Sequence, residues 1–537
     1  MVAIATPHVG AEGQASQKLV MAQEEAPDFE RVHWMREPHL RKLYACCFIL
    51  MLASATTGYD GSLINVSQQI PLWKKYLPEV DEEADSNSES WLGLLVNMMN
   101  IGSIVSFFIT PAIAIGCVFM VLGGCLSAFC NGYGMFIAGR FLLGFGNSFA
   151  QMASPLLLTE ICHPQHRGPL TAVYNCLWNA GSLVVSCIGW GTATVGNDWS
   201  WRSITFIQVV PSVIQLAFIW WIPESPRFLL HKDRSDEALH MLAKYHAGGD
   251  VNNPTVQFEF QEIRETMRLE KEANRNVGYA DFVKTKGNRW RLAILVSLGV
   301  ISQYSGNALF SNYINAVYKG AGITGVNQQL GVTFHWQDHP RLVRDHRCCH
   351  DSRLFWPSTP LPALAGGMCA SFLVWTIIGA IYENSGETNM SAGYAQIPFV
   401  WFFGIFYDIG FSGLLIAYAL EILPFKLRAK GMTIMNIVVQ AILAIGNQTN
   451  LLAWNRLPNH WNFMLFYTLW DFVELVFVYF FYVETKGPTL EEIAKIFDGS
   501  DAVVANINLH QVEKDIHTQV HEEEILEKDM HSPKTAI

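Results

Sequence analysis

The feature that most constrains the fold is a run of 50 residues without a single charge, between Glu89 and Arg140. A helix needs about 20 consecutive apolar residues to cross the hydrocarbon core of a bilayer. Only 15% of the 537 residues are charged, whereas soluble domains carry about 25%. The chain is therefore predicted to be an all-α membrane protein, and disordered and fibrous classes are excluded.

The charge balance and the motif inventory exclude other classes. The net charge of −11 argues against a basic nucleic-acid-binding protein. The 11 cysteines have no repeated spacing that would indicate a disulfide framework. No phosphate-binding glycine loop, catalytic triad or metal motif is visible, so we predict no enzyme activity, no cofactor and no metal. The polar N-terminus lacks the pattern of a cleaved signal peptide.

Apolar runs that are long enough to cross a bilayer occur eleven times. They are residues 43–64, 92–110, 112–131, 134–156, 170–194, 203–222, 292–318, 363–382, 396–420, 431–453 and 461–483. Basic residues are concentrated in the stretch 224–291 and at the end of the N-terminal tail, which the positive-inside rule places in the cytoplasm. Six spans lie between these two segments, and an even number is needed for both segments to be on the same side of the membrane. The acidic loop 72–90 then falls outside.

Two pairs of motifs indicate an internal repeat. Glu160 and Arg167 are seven residues apart, as are Glu421 and Arg428, and the two pairs are offset by 261 residues. The segments IPESPRF, at Glu224, and YVETKGP, at Glu484, are offset by 260 residues. Two parallel six-helix halves explain both offsets. The predicted organisation is a cytoplasmic tail (1–42), a first bundle (43–222), a cytoplasmic helical linker (223–291), a second bundle (292–483) and a cytoplasmic tail (484–537).

At these motifs the chain resembles the sugar porters of the major facilitator superfamily, most closely fungal lactose and cellodextrin permeases. The motifs are TGYDGSLIN at 57–65, AGRFLLGFG at 138–146, the Glu160–Arg167 box, PESPRFL at 223–229, QYSGN at 303–307, the Glu421–Arg428 box and VETKGPTLEE at 483–492. The resemblance implies the major facilitator fold with twelve spans, of which eleven are recognisable here.

The resemblance assigns proton coupling to Asp60 in the first span and Arg140 in the fourth. An ionisable group inside a membrane is costly and is by default a functional hypothesis. A protonated Asp60 would release Arg140, whereas the ionised pair would favour another conformation. The alternative is a static buried ion pair.

Sugar recognition is expected from amide side chains, because each offers both donors and acceptors to hydroxyl groups. The candidates by resemblance and position are Asn175, Gln303, Asn307, Asn312, Tyr313 and Asp408. Each amide could instead form an interhelical hydrogen bond. Ser302 replaces the first glutamine of the family's paired motif, which puts monosaccharide selectivity in doubt. Asp471 and Glu474, one turn apart in the last span, are expected to face a polar interior.

Charged residues at the cytoplasmic helix ends form ion pairs in this family that hold the outward-open state. The matching residues are Glu160, Arg167, Glu224, Arg227, Glu421, Arg428 and Glu484. Charges that merely snorkel to the membrane interface are the alternative. Asn389, in the sequence NMS, is predicted to be extracellular and glycosylated.

The sequence departs from the family at two places. No basic loop separates the second and third spans near Pro111, where about ten residues are expected. Residues 333–362 are polar, with four His, four Arg and Cys348–Cys349, where the eighth span belongs. We interpret both as a reading-frame slip or retained intron; a zinc site and an ordinary disordered loop are the alternatives. We therefore expect that the chain, as written, does not transport.

The function predicted is proton-coupled sugar symport by a monomer in the plasma membrane, with a sugar, a proton and the lipid bilayer as partners and no nucleic acid. A transporter of a secondary metabolite is the alternative with the same fold. A sugar sensor that does not transport is disfavoured by the tail of about 54 residues that follows the last span.

Overall fold

The computed structural model describes residues 32, 34, 36–81, 85, 87–106, 113–274, 278–323, 325, 328–329, 361–386, 388–483 and 496–498. Within these ranges the regular secondary structure is entirely helical. The expected break near Pro111, most of 333–362, Glu484 and nearly all of the C-terminal tail lie outside the described residues.

The described residues of each of the eleven apolar runs lie mainly in one helix or in closely spaced consecutive helices. The helices of the first half are α1 (Pro38–Gln68), the short α2 (Pro71–Tyr76), which lies outside the apolar runs, α3 (Ser88–Ser106), α4 (Ile113–Ala128), α5 (Tyr133–Ile161), α6 (Arg167–Thr192), α7 (Trp199–Ile207) and α8 (Val209–Phe218). The linker contains α9 (Pro226–His231), α10 (Ser235–His246), α11 (Pro254–Asn274) and α12 (Asp281–Lys284).

The described part of the second half is also helical. It contains α13 (Lys286–Tyr304), α14 (Asn307–Gly320), α15 (Leu361–Asn384), α16 (Met390–Ala395), α17 (Ile397–Tyr407), a π-helical turn (Asp408–Ser412), α18 (Gly413–Ile422), α19 (Phe425–Arg456) and α20 (His460–Phe481). Across the described residues, eight helices are long and apolar enough to cross a membrane by length and composition. The all-α membrane fold predicted from the sequence is confirmed.

The helix contacts repeat between the two halves. α1 packs along α6 as α13 packs along α19. α4 packs against α5 and α8, and α15 packs correspondingly against α17 and α20. This repetition is what two parallel copies of one six-helix unit would produce.

Glycines set the closest helix crossings of the first half. A Cβ atom at Gly144 would lie 2.0 Å from the carbonyl oxygen of Met99, and one at Gly146 would lie 2.5 Å from that of Gly116. The backbones of α3 and α4 can therefore approach α5 only because its AGRFLLGFG segment carries glycines at these positions. This packing holds Arg140 against α3.

The two halves meet at their predicted extracellular ends. α3 packs on α19 and α1 packs on α14. Arg456 at the end of α19 lies 3.5 Å from the Glu89 carboxylate at the start of α3. The Gln68 amide donates to the carbonyl oxygen of Asn312 over 3.2 Å. These contacts close the interface on the outer side.

Candidate transport site

Asp60 and Arg140 are both withdrawn from solvent. Asp60, on α1, is 0% exposed, and neither carboxylate oxygen has a hydrogen-bond partner. Arg140, on α5, is 3% exposed, and its Nη2 approaches the Met99 sulfur at 3.5 Å. The two side chains interact electrostatically, but no hydrogen bond joins them. The structure therefore brings the predicted pair together in an unbonded state, and the coupling role stays a prediction.

A break in the seventh span forms a second polar site. Gly306 has φ +88°, a left-handed conformation that glycine adopts without strain. It ends α13 and allows α14 to start at Asn307. Gln303 and Asn307, both half-buried, flank the break.

Tyr407 connects these amides to the tenth span. Its hydroxyl donates to the carbonyl oxygen of Ser302 over 2.6 Å and also interacts with the side chains of Gln303 and Asn307. Asp408 follows it directly, is exposed, and opens the π-helical turn. π-helical turns inside α-helices are frequently found at functional sites. The structure therefore groups Gln303, Asn307 and Tyr407, with Asp408 next to Tyr407 in the chain and within electrostatic range of its hydroxyl.

Sequence reasoning did not select Tyr407. The signal that could have found it is a hydroxyl-bearing aromatic residue next to an intramembrane carboxylate. A helical spacing of four also places Phe403, Tyr407 and Phe411 on one face, and consecutive rings lie 6.1 and 6.3 Å apart.

Asn312 and Tyr313 form interhelical hydrogen bonds. The Asn312 amide donates to Oδ1 of Asn447 on α19 over 2.8 Å. The Tyr313 hydroxyl, on a fully buried side chain, donates to the carbonyl oxygen of Asn447 over 2.9 Å. For these two residues the geometry matches the alternative reading, in which they join helices and do not contact sugar. Asn175 lies on α6, and its side chain is outside the described residues.

Two of the predicted gating residues contact the linker. The Glu160 carboxylate accepts a hydrogen bond from the Ser225 hydroxyl. Arg167 Nη2 lies 3.8 Å from the Glu259 carboxylate on α11. The remaining described members of the set are Glu224 and Glu421, which are exposed, and Arg227 and Arg428, which are half-buried.

The last span carries two buried carboxylates. Asp471 and Glu474 are 2% and 5% exposed, and three of their four carboxylate oxygens are buried without a hydrogen-bond partner. The polar groups that interact with them include Cys369, Tyr407 and Tyr467. Both carboxylates are therefore buried in the protein, and the polar interior or structural partner expected from the sequence stays a prediction.

Asn389 is exposed and caps α16, where its side chain accepts a hydrogen bond from the amide of Ala392 over 3.3 Å. It follows the end of α15, whose Glu383 accepts hydrogen bonds from the backbone and ring of His460. This position is accessible to solvent, and its side of the membrane stays a prediction.

Comparisons with known proteins agree on one family. The model of the family "Sugar (and other) transporter" matches residues 46–336 and 361–497. The match is interrupted inside the polar stretch 333–362. The chain is 24% identical to the MFS-type transporter criB of Aspergillus cristatus over 86% of this chain and 95% of the relative. It is 28% identical to the high-affinity glucose transporter of Kluyveromyces lactis, over 55% of this chain and 54% of that one.

Solved structures give the same fold. The inward-open xylose transporter XylE from E. coli superposes with a TM-score of 0.67 at 19% identity, over 84% of this chain and 99% of that one. The relatives are transporters and not enzymes. The chain therefore belongs to the sugar (and other) transporter family, whose members are multi-pass membrane proteins of the major facilitator superfamily.

Proposed function

We propose that this protein is a proton-coupled carbohydrate symporter that works by alternating access in the plasma membrane. The observation that carries the proposal is the buried Asp60, which has no hydrogen-bond partner and lies within electrostatic range of Arg140. A structural neighbour with a TM-score of 0.65 is described as a proton:xylose symporter.

The charge arrangement supports proton binding at Asp60. An isolated carboxylate in a low-dielectric interior costs several kcal/mol unless it is paired or protonated. When Asp60 is ionised, it attracts Arg140 and holds α1 to α5. When it binds a proton, the attraction is lost and Arg140 can move. Proton binding therefore changes the relative energies of two conformations, which is what coupling requires.

The broken seventh span supports sugar binding. Gln303 and Asn307 each offer a donor and an acceptor at the break, and Tyr407 adds a hydroxyl. Unwound backbone at the membrane midplane is tolerated where it lines a cavity. Asp408, exposed beside Tyr407, would accept hydrogen bonds from sugar hydroxyls.

Uptake of labelled sugars tests the proposal. The chain that the sequenced message encodes is expressed in a host without its own sugar transporters, and glucose, xylose and lactose are supplied at about pH 5 and about pH 7. We expect one of them to accumulate, faster at the lower pH and with loss of accumulation when the proton gradient is dissipated. Equal uptake at both pH values, insensitive to the gradient, would contradict proton coupling.

A second candidate is transport of a secondary metabolite. The match to the MFS-type transporter criB, whose name specifies no sugar, covers 86% of this chain, whereas the match to the glucose transporter covers 55%, so the cargo of the shared fold stays open. The same assay separates the two, because this candidate predicts no sugar uptake at either pH. Saturable sugar binding without flux would instead indicate a sensor.

A further inference from the structure

Arg291 is a buried cation near the start of the second half. It lies in the first turns of α13 and is 1% exposed. Its Nε donates to the carbonyl oxygen of Ile422, the last residue of α18, over 3.0 Å. Its Nη1 donates to Oδ1 of Asn288 over 3.0 Å. These two acceptors are neutral, whereas a buried charge is strongly destabilising unless an opposite charge is paired with it.

The opposite charge comes from the chain beyond the last span. Asp498 is 207 residues away from Arg291 in sequence, and its two carboxylate oxygens accept from Nη1 and Nη2 over 2.8 Å each. A carboxylate bound by both arms of a planar guanidinium is fixed in distance and in orientation. Among the described residues, Asp498 is the only carboxylate that forms a salt bridge with Arg291.

Phe497 packs beside the ion pair. Its side chain is 7% exposed, and its ring centroid lies 4.8 Å from that of Trp290 and 4.6 Å from the guanidinium carbon of Arg291. A guanidinium is attracted to the face of an aromatic ring at this distance. Ile496, the preceding residue, is 47% exposed. The chain therefore inserts one aromatic and one acidic side chain and leaves their neighbour outside.

A glycine makes room for this segment. A Cβ atom at Gly287 would collide with Oδ1 of Asp498 and would lie 2.5 Å from the carbonyl oxygen of Phe497. Gly287 is in the first turn of α13 and has an ordinary helical backbone, which does not by itself require glycine. The absence of a side chain at this position is therefore explained by the close approach of the segment.

We propose that the start of α13 is a binding site for an aromatic residue followed by an acidic one, and that Phe497–Asp498 of the chain's own C-terminal tail is its ligand. The bound pair supplies the charge that allows Arg291 to join α13 to α18. Glu421, next to Ile422, belongs to the Glu421–Arg428 box, so loss of the pair should loosen the region of the predicted gating charges. Only this last effect rests on the proposed function.

The segment is positioned to bind and dissociate as a unit. The Asp498 side chain is 32% exposed, whereas that of Arg291 is 1% exposed, so the segment forms the outer layer over a charge that water does not reach. The pair therefore differs from surface ion pairs, which contribute little because both charges are hydrated when apart. When one partner of a buried pair is removed, the other is left as an uncompensated charge.

Hydrogen exchange of the purified full chain in lipid nanodiscs tests the binding without any substrate. The amides of α13 and of the end of α18 are followed in wild type, Phe497→Ala, Asp498→Asn and Gly287→Ala. Ile496→Ala is the matched control, because it removes a side chain of the same segment that is exposed. All variants are compared at one pH, so the intrinsic exchange rates change only near the substituted residue.

We expect the first turns of α13 to exchange roughly tenfold faster or more in Asp498→Asn and Phe497→Ala, since contacts to a charged group are lost. Gly287→Ala should have the same effect, although it leaves Arg291 and Asp498 in place. Ile496→Ala should match wild type. Unchanged exchange in both Phe497→Ala and Asp498→Asn, or equally fast exchange in Ile496→Ala, would overturn the proposal.

A double variant keeps the test decisive if Asp498→Asn does not fold. Arg291→Met combined with Asp498→Asn contains neither charge, so no buried charge is left without its partner. Its yield of monodisperse protein and its Tm should exceed those of Asp498→Asn alone. Values no better than those of Asp498→Asn would mean that Asp498 does not act through Arg291, and the proposal would be wrong.

A separate measurement addresses transport. Equilibrium exchange of labelled sugar is compared in wild type, Phe497→Ala and Ile496→Ala, each made in the chain that the sequenced message encodes. Phe497→Ala should change the exchange rate severalfold, and Ile496→Ala should not. If wild type exchanges no sugar, the proposed function fails, whereas the hydrogen-exchange result still decides whether the segment is bound as proposed.

Discussion

Asp60 and Arg140 show how the protonation state of a buried ion pair can control a conformational change. Each charge loses its hydration in the interior, and their attraction repays that loss fully only when hydrogen bonds form between them. In this structure none forms, and the nearest polar contact of Arg140 is a weakly accepting sulfur. In this arrangement, binding a proton to Asp60 would remove the free-energy cost of burying its unbonded charge.

Asp60→Asn should abolish uphill, pH-dependent uptake, because an amide mimics the neutral carboxyl group and cannot exchange a proton. The accumulation ratio should fall to about one, while counterflow stays within about threefold of wild type, since the sugar site is intact. Uptake and counterflow of labelled sugar measure both, in vesicles that contain the chain encoded by the mature message. Asp233→Asn, on the exposed linker at a left-handed φ of 58° that asparagine tolerates, is the control. Accumulation by Asp60→Asn would refute the coupling role.

Tyr407→Phe should weaken sugar binding more than turnover. It removes the hydroxyl that donates to Ser302 and contacts Gln303 and Asn307, so the amides lose a fixed neighbour. A loss of about 1 kcal/mol corresponds to a KM about fivefold higher. Sugar-concentration series of initial uptake rates provide the KM. Tyr394→Phe, at an exposed tyrosine, should leave it unchanged; an unchanged KM in Tyr407→Phe would remove this residue from the site.

The sequence predicted part of this site. Asp60, Arg140, Gln303 and Asn307 could be selected because charged or amide residues inside apolar runs are costly and need a reason. Tyr407 could not be selected in this way, since a tyrosine in an aromatic helix is ordinary until its hydroxyl is seen to reach a neighbouring span. The bonding of Asn312 to Asn447 likewise depends on contact between helices 135 residues apart in sequence.

At the scale of the elements, glycines decide how closely helices approach. α1 and α6 cross where a Cβ at Gly181 would lie 1.9 Å from the carbonyl oxygen of Ala55, and one at Gly58 would lie 1.9 Å from that of Trp178. Helix interfaces in membranes rely on such close packing. Lipid tails are as apolar as the helix surface, so no hydrophobic effect drives one helix onto another. This crossing places Asp60 in the interior of the first half.

Gly181→Ala should therefore destabilise the protein. The added methyl group meets backbone atoms that cannot rotate away, and overpacking of this kind costs about 1–3 kcal/mol. Thermal unfolding in detergent should show a lower Tm. The control is Gly191→Ala on the same helix, where a Cβ meets nothing within 4 Å, and its Tm should be unchanged or slightly higher. Equal Tm values for the two variants would show that the crossing adapts to the methyl group.

Apolar length was sufficient to predict the helices but not their interruptions. The described residues of the predicted spans lie mainly in helix, because about 20 apolar residues in lipid have no alternative that satisfies the backbone. The break at Gly306 and the π-helical turn at Asp408 were not predicted. Each depends on where neighbouring helices accept freed backbone groups, which hydropathy does not report.

At the scale of the whole molecule, closure of the outer side depends on contact between α3 and α19. A Cβ at Gly93 would lie 2.7 Å from the side-chain oxygen of Gln448. The nearby Glu89–Arg456 pair is too exposed to hold the halves together alone, because surface ion pairs contribute about 0–1 kcal/mol. The packing of α3 on α19 at Gly93 is therefore the contact between the two halves that a larger residue would disturb most.

Gly93→Leu should hold the outer side open and slow transport. An overpacking cost of about 1–3 kcal/mol on the closed state shifts the equilibrium roughly 5- to 160-fold. Uptake should fall by about that factor, while binding of external sugar persists. Gly134→Leu, where a Cβ meets nothing within 4 Å, is the control at the predicted outer end of α5. Normal uptake by Gly93→Leu would mean that this contact is not required for closure.

The positions of α14 and α15 show whether the chain between them must cross the membrane. A Cβ at Gly320, the end of α14, would lie 2.9 Å from Trp454, and one at Gly322 would lie 2.6 Å from the hydroxyl of Tyr382. Both neighbours lie near the C-terminal ends of their helices, on the side of the Glu89–Arg456 pair. α15 is 24 residues long, about 36 Å, so its start at Leu361 lies at the opposite end of the bundle from the Glu89–Arg456 pair. The end of α14 and the start of α15 therefore lie at opposite ends of the bundle, which are the predicted outer and cytoplasmic sides.

A transporting chain therefore needs a membrane-crossing segment between these helices, and residues 333–362 are poorly suited to be one. Each arginine at the centre of a span costs roughly 2.5–3.5 kcal/mol, and this stretch contains four, together with four histidines. The family match is also interrupted between residues 336 and 361. We predict that the mature message encodes an apolar segment at this position and about ten more residues after Pro111, and that the 537-residue chain gives no sugar uptake. Sequencing the message and assaying both versions in a transporter-null host checks this. Sugar uptake by the 537-residue chain, from a message that encodes residues 333–362 unchanged, would show that the eleven-span protein is itself functional.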